Sequence, residues 1–533
     1  MKKNEFELQS RRSFLQNGRS FLTGLAGMEL IRHSEIIWKQ SNSLLLPSVA
    51  QAAQEANKNS PFLIYIHLHG GWHGWTGGIF QPTVAGVEGF PMGAFQPGKI
   101  SGSNNPHANR HFATGPFLFN SYSKVLSDVA NNLVIVAGNA RTVGHDDGAL
   151  LQSSGSKTAG NSGSPTWPLG IASVRERYFD DLGLVVAHSR DAHTGATAAN
   201  SRLVRASNQK NFAYAYAEYS RARSISPEIK NRFSDISGKM STSFNGMAPL
   251  PQNKSDILKN TMKSIDEGLT AEIAADPADK SNPEATVKNP ILLQLQQELS
   301  YEKLKLALSN SMNSNGEDLG LKGTLIQLES RKDIYVRFLE SLQLAGLLAY
   351  TGKASGMCLD SGDVLDAHGG GACVTDAQSS AILLASLTLF WKWIASQKLD
   401  KKTMVVVSSD FSRSPFNLNS ENRSIFVNGA EKQIITPGTD HWPVVYTLIL
   451  SGALTPGRVG AFLDAGTCCG TKSRDGTPAP DIPAYTSTQI VCSAVLKAWP
   501  ELWSNRPVAN GWRALKEVWP DFQESDLVAE LLV

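Results

Sequence analysis

Four short runs of almost uninterrupted apolar residues constrain the fold of this 533-residue chain more than any other feature. The runs are Phe62 to His69, Leu133 to Ala137, Leu184 to His188 and Met404 to Ser408. Their length and β-branched residues favour strands, and continuous apolar character is typical of strands that are buried on both faces of a sheet. Helical stretches adjoin most of them. We therefore expect an α/β fold, with a mainly parallel sheet and helices on both faces.

Two helices are predicted beside these strands. The stretch Pro116 to Asn131 is amphipathic and leads into the second apolar run. Thr375 is a suitable N-cap, and it opens a predicted helix from Asp376 to Gln397 that leads into the last run. The pattern of helix followed by strand is thus repeated along the chain.

A polar, partly helical segment separates the first three predicted strands from the last one. Residues from about 205 to 350 are polar and rich in Ser, Asn and Lys, and they are helical where periodic, at Ile291 to Leu308 and Thr324 to Tyr350. We interpret them as a helical insertion. The prediction is a single α/β domain over residues 56–533, interrupted by this insertion.

Composition argues against two classes of protein. The chain has 50 Lys and Arg against 48 Asp and Glu, whereas nucleic-acid binders use a basic excess to neutralise phosphates. Beyond the N-terminus, the nearest approach to the ~20 apolar residues of a membrane span is Ala381 to Ala395, which contains Lys392. We expect no nucleic-acid partner and no transmembrane span in the mature chain.

The N-terminus carries an arginine pair followed by a large apolar dipeptide, Ser10-Arg11-Arg12-Ser13-Phe14-Leu15. This pattern resembles a twin-arginine export signal. Residues 1–55 are therefore predicted to be an export signal and linker, which places the mature protein in the periplasm or outside the cell. The alternative is an amphipathic N-terminal helix of a cytoplasmic protein.

Cysteine usage fits export without requiring it. In an oxidising compartment, one bridge could join Cys358 to Cys373, and a second could join Cys468 or Cys469 to Cys492. Buried free thiols are the alternative, since free cysteine is a common core residue.

Imidazole and carboxylate side chains gather where the predicted strands end. In open α/β sheets, binding residues lie beyond the carboxyl ends of the strands. Together these two ligand types suit zinc, manganese or iron better than calcium or magnesium. A divalent metal site is therefore predicted, although a lone histidine is usually a packed or solvent-facing residue and an aspartate at a strand end often caps a helix. Six of the eleven histidines occupy such positions: His67, His69, His73, His145, His368 and His441.

Two motifs are similar to the paired signatures of a bacterial family, the domain of unknown function 1501 family. They are VVVSSDFSRSP at residues 405–415 and GTDHWP at residues 438–443. The segments LHGGW, GHDDGALLQSSG and LDAHGG precede them in the order expected for that family, so the resemblance covers most of residues 60–200 and 355–465. The family resembles a sulfatase-like branch of the alkaline phosphatase superfamily. The resemblance implies an alkaline phosphatase-like three-layer sandwich with one or two divalent ions, zinc or manganese.

The same resemblance assigns ligands position by position. It implies that Asp366, His368 and His441 bind one metal ion, and that Asp410 belongs to a second site.

Two departures from the superfamily pattern favour a single ion. The first strand ends in His69 and two glycines where relatives have Asp, and Phe411 stands where relatives often have His. Histidine could replace the missing carboxylate, which makes His69 and His73 further candidate ligands. A site built in this way would be less negatively charged.

The resemblance also supplies a candidate catalytic set. Thr142 is the candidate nucleophile, with helix capping as the alternative, and His145 follows it. Arg413, together with Arg141, would hold the oxygens of a phosphate or sulfate group through the guanidinium fork. The alternative for Arg413 is a salt bridge that orients Asp410 or the loop after it.

These observations predict an exported, metal-dependent hydrolase of phosphate or sulfate esters. Its partner would be a small anionic ester or a sulfated or phosphorylated glycan, and the sequence does not identify a protein partner. The alternative is a secreted binding or structural protein that keeps the hydrolase fold without its chemistry. In that case Trp72, Trp75 and Trp167 could form a face for a partner or a glycan.

Overall fold

The computed structural model describes most of the chain after residue 60. The described residues are 61–72, 111–155, 165–172, 185–188, 203–205, 290–352, 354–366, 370–413, 422–427, 430–435, 441–442, 444–460, 485–500, 511–519 and 522–533. The predicted export signal and linker lie outside them. So does the part of the predicted insertion from residue 206 to residue 289.

Strands dominate the first part of the described chain and helices the middle. In chain order the elements are β1 (Phe62–His69), β2 (His111–Thr114), β3 (Phe117–Asn120), a 3₁₀-helix (Lys124–Asn132), β4 (Leu133–Asn139), α1 (His145–Ser154), β5 (Val185–His188), β6 (Leu203–Arg205), α2 (Pro290–Glu298), α3 (Tyr301–Met312), β7 (Asn313–Ser314), β8 (Glu317–Asp318), α4 (Leu321–Ser330) and α5 (Lys332–Thr351).

The last part of the chain has one strand and one long helix, then seven strands, and ends in helices. Its elements are β9 (Gly356–Val364), α6 (Gly370–Ser396), β10 (Thr403–Ser409), β11 (Ser412–Arg413), β12 (Asn422–Val427), β13 (Ala430–Ile435), β14 (His441–Trp442), β15 (Val444–Leu450), β16 (Gly457–Val459), α7 (Ser487–Ala498), α8 (Gly511–Val518), a second 3₁₀-helix (Glu524–Asp526) and α9 (Ala529–Leu532).

A mixed eight-stranded sheet forms the centre, in the order β16-β4-β15-β10-β1-β9-β5-β6. Among its described strands, β15 runs antiparallel to both neighbours and the other seven share one direction. This confirms an α/β protein with a mainly parallel sheet. The central strand β1 lies between β10 and β9, which come from the other end of the chain. The carboxyl ends of these three strands therefore meet at one edge.

Helices cover both faces of the sheet, as the continuous apolar strands predict. Alternate residues of β1 face opposite sides: Ile64 belongs to a core with α5 and α6, and Leu63 to a core with α7 and α8. Because α2 to α5 contribute to the same core as β1, the described part of the predicted insertion packs as a layer of the domain.

The segment from Pro116 to Asn131 is not one helix, which corrects the prediction. Phe117 and Phe119 alternate as strand residues, stack with ring centroids 5.6 Å apart and belong to β3, which pairs with β2. A 3₁₀-helix follows. Burial of the two aromatic rings outweighs the amphipathic helical pattern.

Three helix boundaries also differ from the sequence prediction. Helix α6 begins at Gly370, six residues before Asp376, because tertiary packing overrides the low helix propensity of glycine. The predicted helix from residue 291 to 308 breaks where the Ser300 hydroxyl accepts the Lys303 N–H and caps α3. The one from 324 to 350 breaks at Arg331.

One described helix, over Thr375–Ser396, is long and apolar enough to cross a membrane by length and composition. Within its most apolar window, 78% of the residues are buried inside the protein. A core helix of an α/β domain has this same character.

Two of the five cysteines are buried free thiols, namely Cys358 on β9 and Cys492 on α7. This corrects the predicted bridges from Cys358 to Cys373 and from Cys492 to Cys468 or Cys469. The side chains of the last two lie outside the described residues. Burial raises the pKa of the Cys358 thiol to about 12, so that it stays protonated at neutral pH.

We expect truncation of Leu342 on α5 to destabilise the whole domain. Leu342 has no exposed surface, and Leu342→Ala should lower the free energy of unfolding by about 2–5 kcal/mol. Leu306 on α3 is 54% exposed, so Leu306→Ala is a matched control with an expected change within about 0.5 kcal/mol. Urea unfolding of both variants, followed by circular dichroism, measures the difference. Equal effects would place Leu342 outside the shared core.

The Cys358 thiol should resist alkylation in the folded protein. In the unfolded chain its pKa returns to about 8.5, so iodoacetamide at pH 8.5 should label it about 100-fold faster in urea than in buffer. Peptide mapping by mass spectrometry measures the two rates without a reductant. Equal rates would contradict the burial of Cys358. If labelling in urea required a reductant, Cys358 would be shown to form a disulfide, as first predicted.

Candidate metal centre

Three side chains that can bind a metal converge at the carboxyl edge of the sheet. Asp366 follows β9, His145 begins α1 after the loop from β4, and His441 lies on β14. One ligand atom of each lies within 4.8 Å of the other two. The His145 Nε2 atom is 3.9 Å from a carboxylate oxygen of Asp366. Because the ligand atoms of a tetrahedral ion with bonds of ~2.0–2.2 Å lie ~3.3–3.6 Å apart, the three atoms would have to close by up to ~1.5 Å on binding an ion.

The hydrogen bonds of both histidines leave the same ring nitrogen for a ligand. His441 Nδ1 lies 2.7 Å from the carbonyl oxygen of Val143, and His145 Nδ1 lies 2.8 Å from a carboxylate oxygen of Asp410. Carbonyl and ionised carboxylate oxygens only accept hydrogen bonds, so both Nδ1 atoms carry the proton. In the neutral rings the lone pair is then on Nε2. Histidines that bind metals are commonly fixed in this way.

An ion pair with a buried arginine holds the carboxylate of Asp366, which is itself 39% exposed. Arg413 has no exposed surface, and its guanidinium donates to Asp366 Oδ1 and to the carbonyl oxygen of Gly70. Burial lowers the pKa of the guanidinium to about 10, which still leaves it charged at neutral pH. The predicted contact of Arg413 with a substrate anion is therefore corrected. The alternative of an orienting salt bridge is observed, with Asp366 as the partner rather than Asp410.

Asp410 is the most fully hydrogen-bonded carboxylate of the site. It accepts from His67 Nε2 at 2.6 Å, from His145 Nδ1 at 2.8 Å and from the Gly70 N–H at 3.0 Å. Burial acts to raise its pKa, but the hydrogen bonds from His67, His145 and the Gly70 N–H outweigh it and lower the pKa to about 2. Asp410 remains a predicted ligand, and its observed contacts already give it the role of orienting His145.

Phe411 packs against the two histidines of the cluster. Its buried ring is 4.8 Å from that of His145 and 4.5 Å from that of His441, measured between centroids. The two imidazoles are 4.6 Å apart in an edge-to-face arrangement. Residue 411 thus gives the two imidazoles an apolar ring to pack against.

Three glycines permit the close approach of these elements. Gly70 and Gly71 have φ values of 96° and 90°, and a Cβ at either would lie within 3 Å of Asp366 or Phe411. Gly148, on the first turn of α1, faces the backbone of Asp410, where a Cβ would lie 2.5 Å from the carbonyl oxygen. Helix α1 can therefore bring His145 to Asp410 only because residue 148 has no side chain.

His69 belongs to a second cluster, with His67 and Asp410, that could also hold a metal by composition. Its Nε2 lies 2.6 Å from Asp360 Oδ2, in a partly buried pair. His73 and His368 lie outside the described residues, so their predicted roles as ligands stay predictions.

The loop that carries Thr142 is fixed at both ends. The Thr142 hydroxyl oxygen accepts the Gly144 N–H at 3.1 Å and closes a local turn just before α1. The N-cap residue of α1 is Gly144, without a side-chain cap, so this bond is not the helix capping named as the alternative for Thr142. Arg141 has a φ of 64°, uncommon for a residue with a side chain, and its N–H donates to the Asn139 side chain. Val143 accepts from His441. The nucleophile role of Thr142 stays a prediction.

No protein-family model and no curated protein matches the sequence.

Sequence reasoning missed two roles that the structure assigns. His67 appeared among the clustered histidines without a function, although it shares a strand face with His69. Gly148 has no special motif around it, and only its packing against Asp410 shows its importance.

Gly148→Ala should weaken both the fold and the metal centre. The added methyl group would push α1 away from Asp410, so we expect a loss of about 1–3 kcal/mol in unfolding free energy and about 10-fold weaker zinc binding. Gly457→Ala is the control, because its Cβ would meet nothing within 4 Å. Urea unfolding and zinc titration measure both effects. Unchanged zinc affinity in Gly148→Ala would show that the position of α1 does not determine the centre.

Proposed function

We propose that the protein is an exported, metal-dependent hydrolase of phosphate or sulfate esters, with one divalent ion held by His145, Asp366 and His441. The observation that carries the proposal is their convergence within 4.8 Å, with each histidine fixed so that Nε2 holds the lone pair. The two motifs at residues 405–415 and 438–443 support a place in the domain of unknown function 1501 family, with an alkaline phosphatase-like three-layer sandwich. The arginine pair near the N-terminus supports export.

The donor set suits zinc or manganese. Two imidazole nitrogens and one carboxylate oxygen make three protein ligands, which is the pattern of catalytic zinc sites that keep a position open. His368 remains a candidate fourth ligand. One ion is favoured over two because Asp410, the acid assigned to a second site, is already bonded to three N–H donors.

The chain's own residues would prepare this site for ester hydrolysis. A divalent ion bound there would neutralise charge that develops on an ester oxygen and lower the pKa of water from about 16 towards 7. Arg413 pairs with the Asp366 carboxylate and orients it, and Phe411 packs against the two imidazoles. Attack would come from Thr142 or from water. Arg141, which is exposed on the same loop, remains the candidate contact for the anion.

A binding or structural role is the second candidate, and the burial of Arg413 favours it. An arginine with no exposed surface cannot contact a substrate anion directly. The aromatic face proposed for such a role is corrected in part, because Trp72 and Trp167 are core residues and Trp75 lies outside the described chain. In the binding or structural role, the metal site would then stabilise the loops that carry its ligands.

Metal analysis and ester hydrolysis distinguish the two candidates. We expect about one zinc or manganese ion per chain, and activity on aryl phosphate or aryl sulfate that a chelator removes and added metal restores. His441→Ala should bind metal at least 10-fold more weakly and lower kcat/KM about 100-fold. Lys305→Ala, which removes a surface ion pair with Glu329, is the control.

The outcomes of this experiment are separate. The hydrolase and the metal centre would be refuted together if the protein contained no metal, cleaved neither ester, and showed the same metal content and activity after His441→Ala. A protein that binds one ion but cleaves neither ester would support the binding or structural role.

A further inference from the structure

A chain of four hydrogen-bonded side chains runs from the interior of the sheet to the metal centre. The Tyr65 hydroxyl is 3.1 Å from His67 Nδ1, and His67 Nε2 is 2.6 Å from Asp410 Oδ1. The other carboxylate oxygen of Asp410 is 2.8 Å from His145 Nδ1. Tyr65, His67 and Asp410 are buried, and His145 is partly exposed at the end of the chain.

From this arrangement we propose that His67 is a positioning residue for the metal centre. It fixes the carboxylate of Asp410, and Asp410 fixes the ring of His145 with Nε2 directed to the ion. The inference rests on the proposed metal centre and adds to it a residue that does not contact the ion.

The direction of each hydrogen bond follows from the chemistry of the groups. An ionised carboxylate only accepts, so His67 Nε2 must donate to Asp410. Burial raises the pKa of Tyr65 well above its usual value, which keeps the hydroxyl protonated and able to donate to His67 Nδ1. Both ring nitrogens of His67 are thus engaged. The imidazole therefore holds Asp410 in place and has no ring nitrogen left to bind the ion.

His67 is the one described donor to Asp410 Oδ1, whereas the Gly70 N–H and His145 share Oδ2. Without His67, the buried Oδ1 atom would lose this donor, and a buried carboxylate that lacks a donor turns, takes up a proton or draws in water. Each response weakens the acceptor that holds His145 Nδ1. The His145 ring could then rotate or exchange its tautomer, and its Nε2 atom would no longer be prepared for the ion.

The chain contains a matched control for this route. His69 lies two residues from His67 on β1, and it forms an equally short contact of 2.6 Å with Asp360. Within the described part of the chain, Asp360 forms hydrogen bonds with His69 and the Gly362 N–H, and none leads from it to His145, Asp366 or His441. The His69 ring packs edge-to-face on that of His67, with centroids 4.8 Å apart. Loss of the Asp360 bond therefore disturbs the neighbour of His67 while the bond from His67 to Asp410 stays in place, and it should cost stability without changing the metal centre.

The test compares three variants of the full-length protein: His67→Asn, His67→Gln and Asp360→Asn. The glutamine amide nitrogen reaches about as far as His67 Nε2 and can still donate to Asp410, whereas the asparagine amide nitrogen falls short. Zinc affinity is measured by competition with a chromogenic chelator. The visible absorption of bound Co²⁺ reports the ligand geometry, and thermal unfolding of the metal-free protein reports the fold.

We expect His67→Asn to bind zinc about 10–100-fold more weakly and to change the Co²⁺ spectrum. His67→Gln should bind zinc with an affinity close to that of the wild type, within the error of the titration, and Asp360→Asn should match the wild type in affinity and spectrum. Should His67→Asn not fold, Tyr65→Phe removes only the donor to His67 Nδ1, and it should weaken zinc binding by a smaller factor of about 3.

Each contrary outcome has one meaning. A wild-type protein that binds neither zinc nor Co²⁺ would refute the metal centre and the proposed function. Wild-type affinity in His67→Asn, or in Tyr65→Phe where that variant is used, would refute the role of His67 alone. An equal loss in His67→Gln would show that the hydrogen bond to Asp410 is not the route, and an equal loss in Asp360→Asn would show a general loss of stability instead.

Discussion

The buried carboxylate of Asp410 is the interaction on which the candidate site depends. An ionised group in the interior is stable only when hydrogen bonds replace the water it has lost. Here the donors come from two elements distant in sequence, namely His67 and the Gly70 N–H at the end of β1, and His145 at the start of α1. One charge at the end of β10 therefore fixes the positions of a strand, a glycine turn and a helix.

Much of the fold could be predicted because its strands are buried on both faces. The bounds predicted for β1 agree with the structure, and those for β4, β5 and β10 differ by one or two residues. The antiparallel direction of β15 could not be predicted, since direction depends on hydrogen bonds to β4 and β10 and leaves no local pattern. The failed helix at Pro116 to Asn131 has a similar cause, because pairing with β2 decides its conformation.

The candidate site could be predicted in place and in composition, but less well in its roles. Strand ends brought Asp366, Asp410 and His441 into consideration, and the structure places all three at one edge of the sheet. The role of Arg413 depended on whether its side chain turned inwards. That orientation is set by Asp366, which lies 47 residues away in sequence, so no local pattern could reveal it.

The position of β1 has a consequence for synthesis of the chain. Its two neighbours in the sheet, β9 and β10, begin at residues 356 and 403, which lie 287 and 334 residues after the end of β1 at residue 69. At about 5–20 residues per second, a ribosome needs roughly 15 to 60 s to reach them. During that interval an eight-residue, almost wholly apolar segment has emerged without either neighbouring strand. The nascent chain is therefore expected to depend on chaperones until its last third has been made.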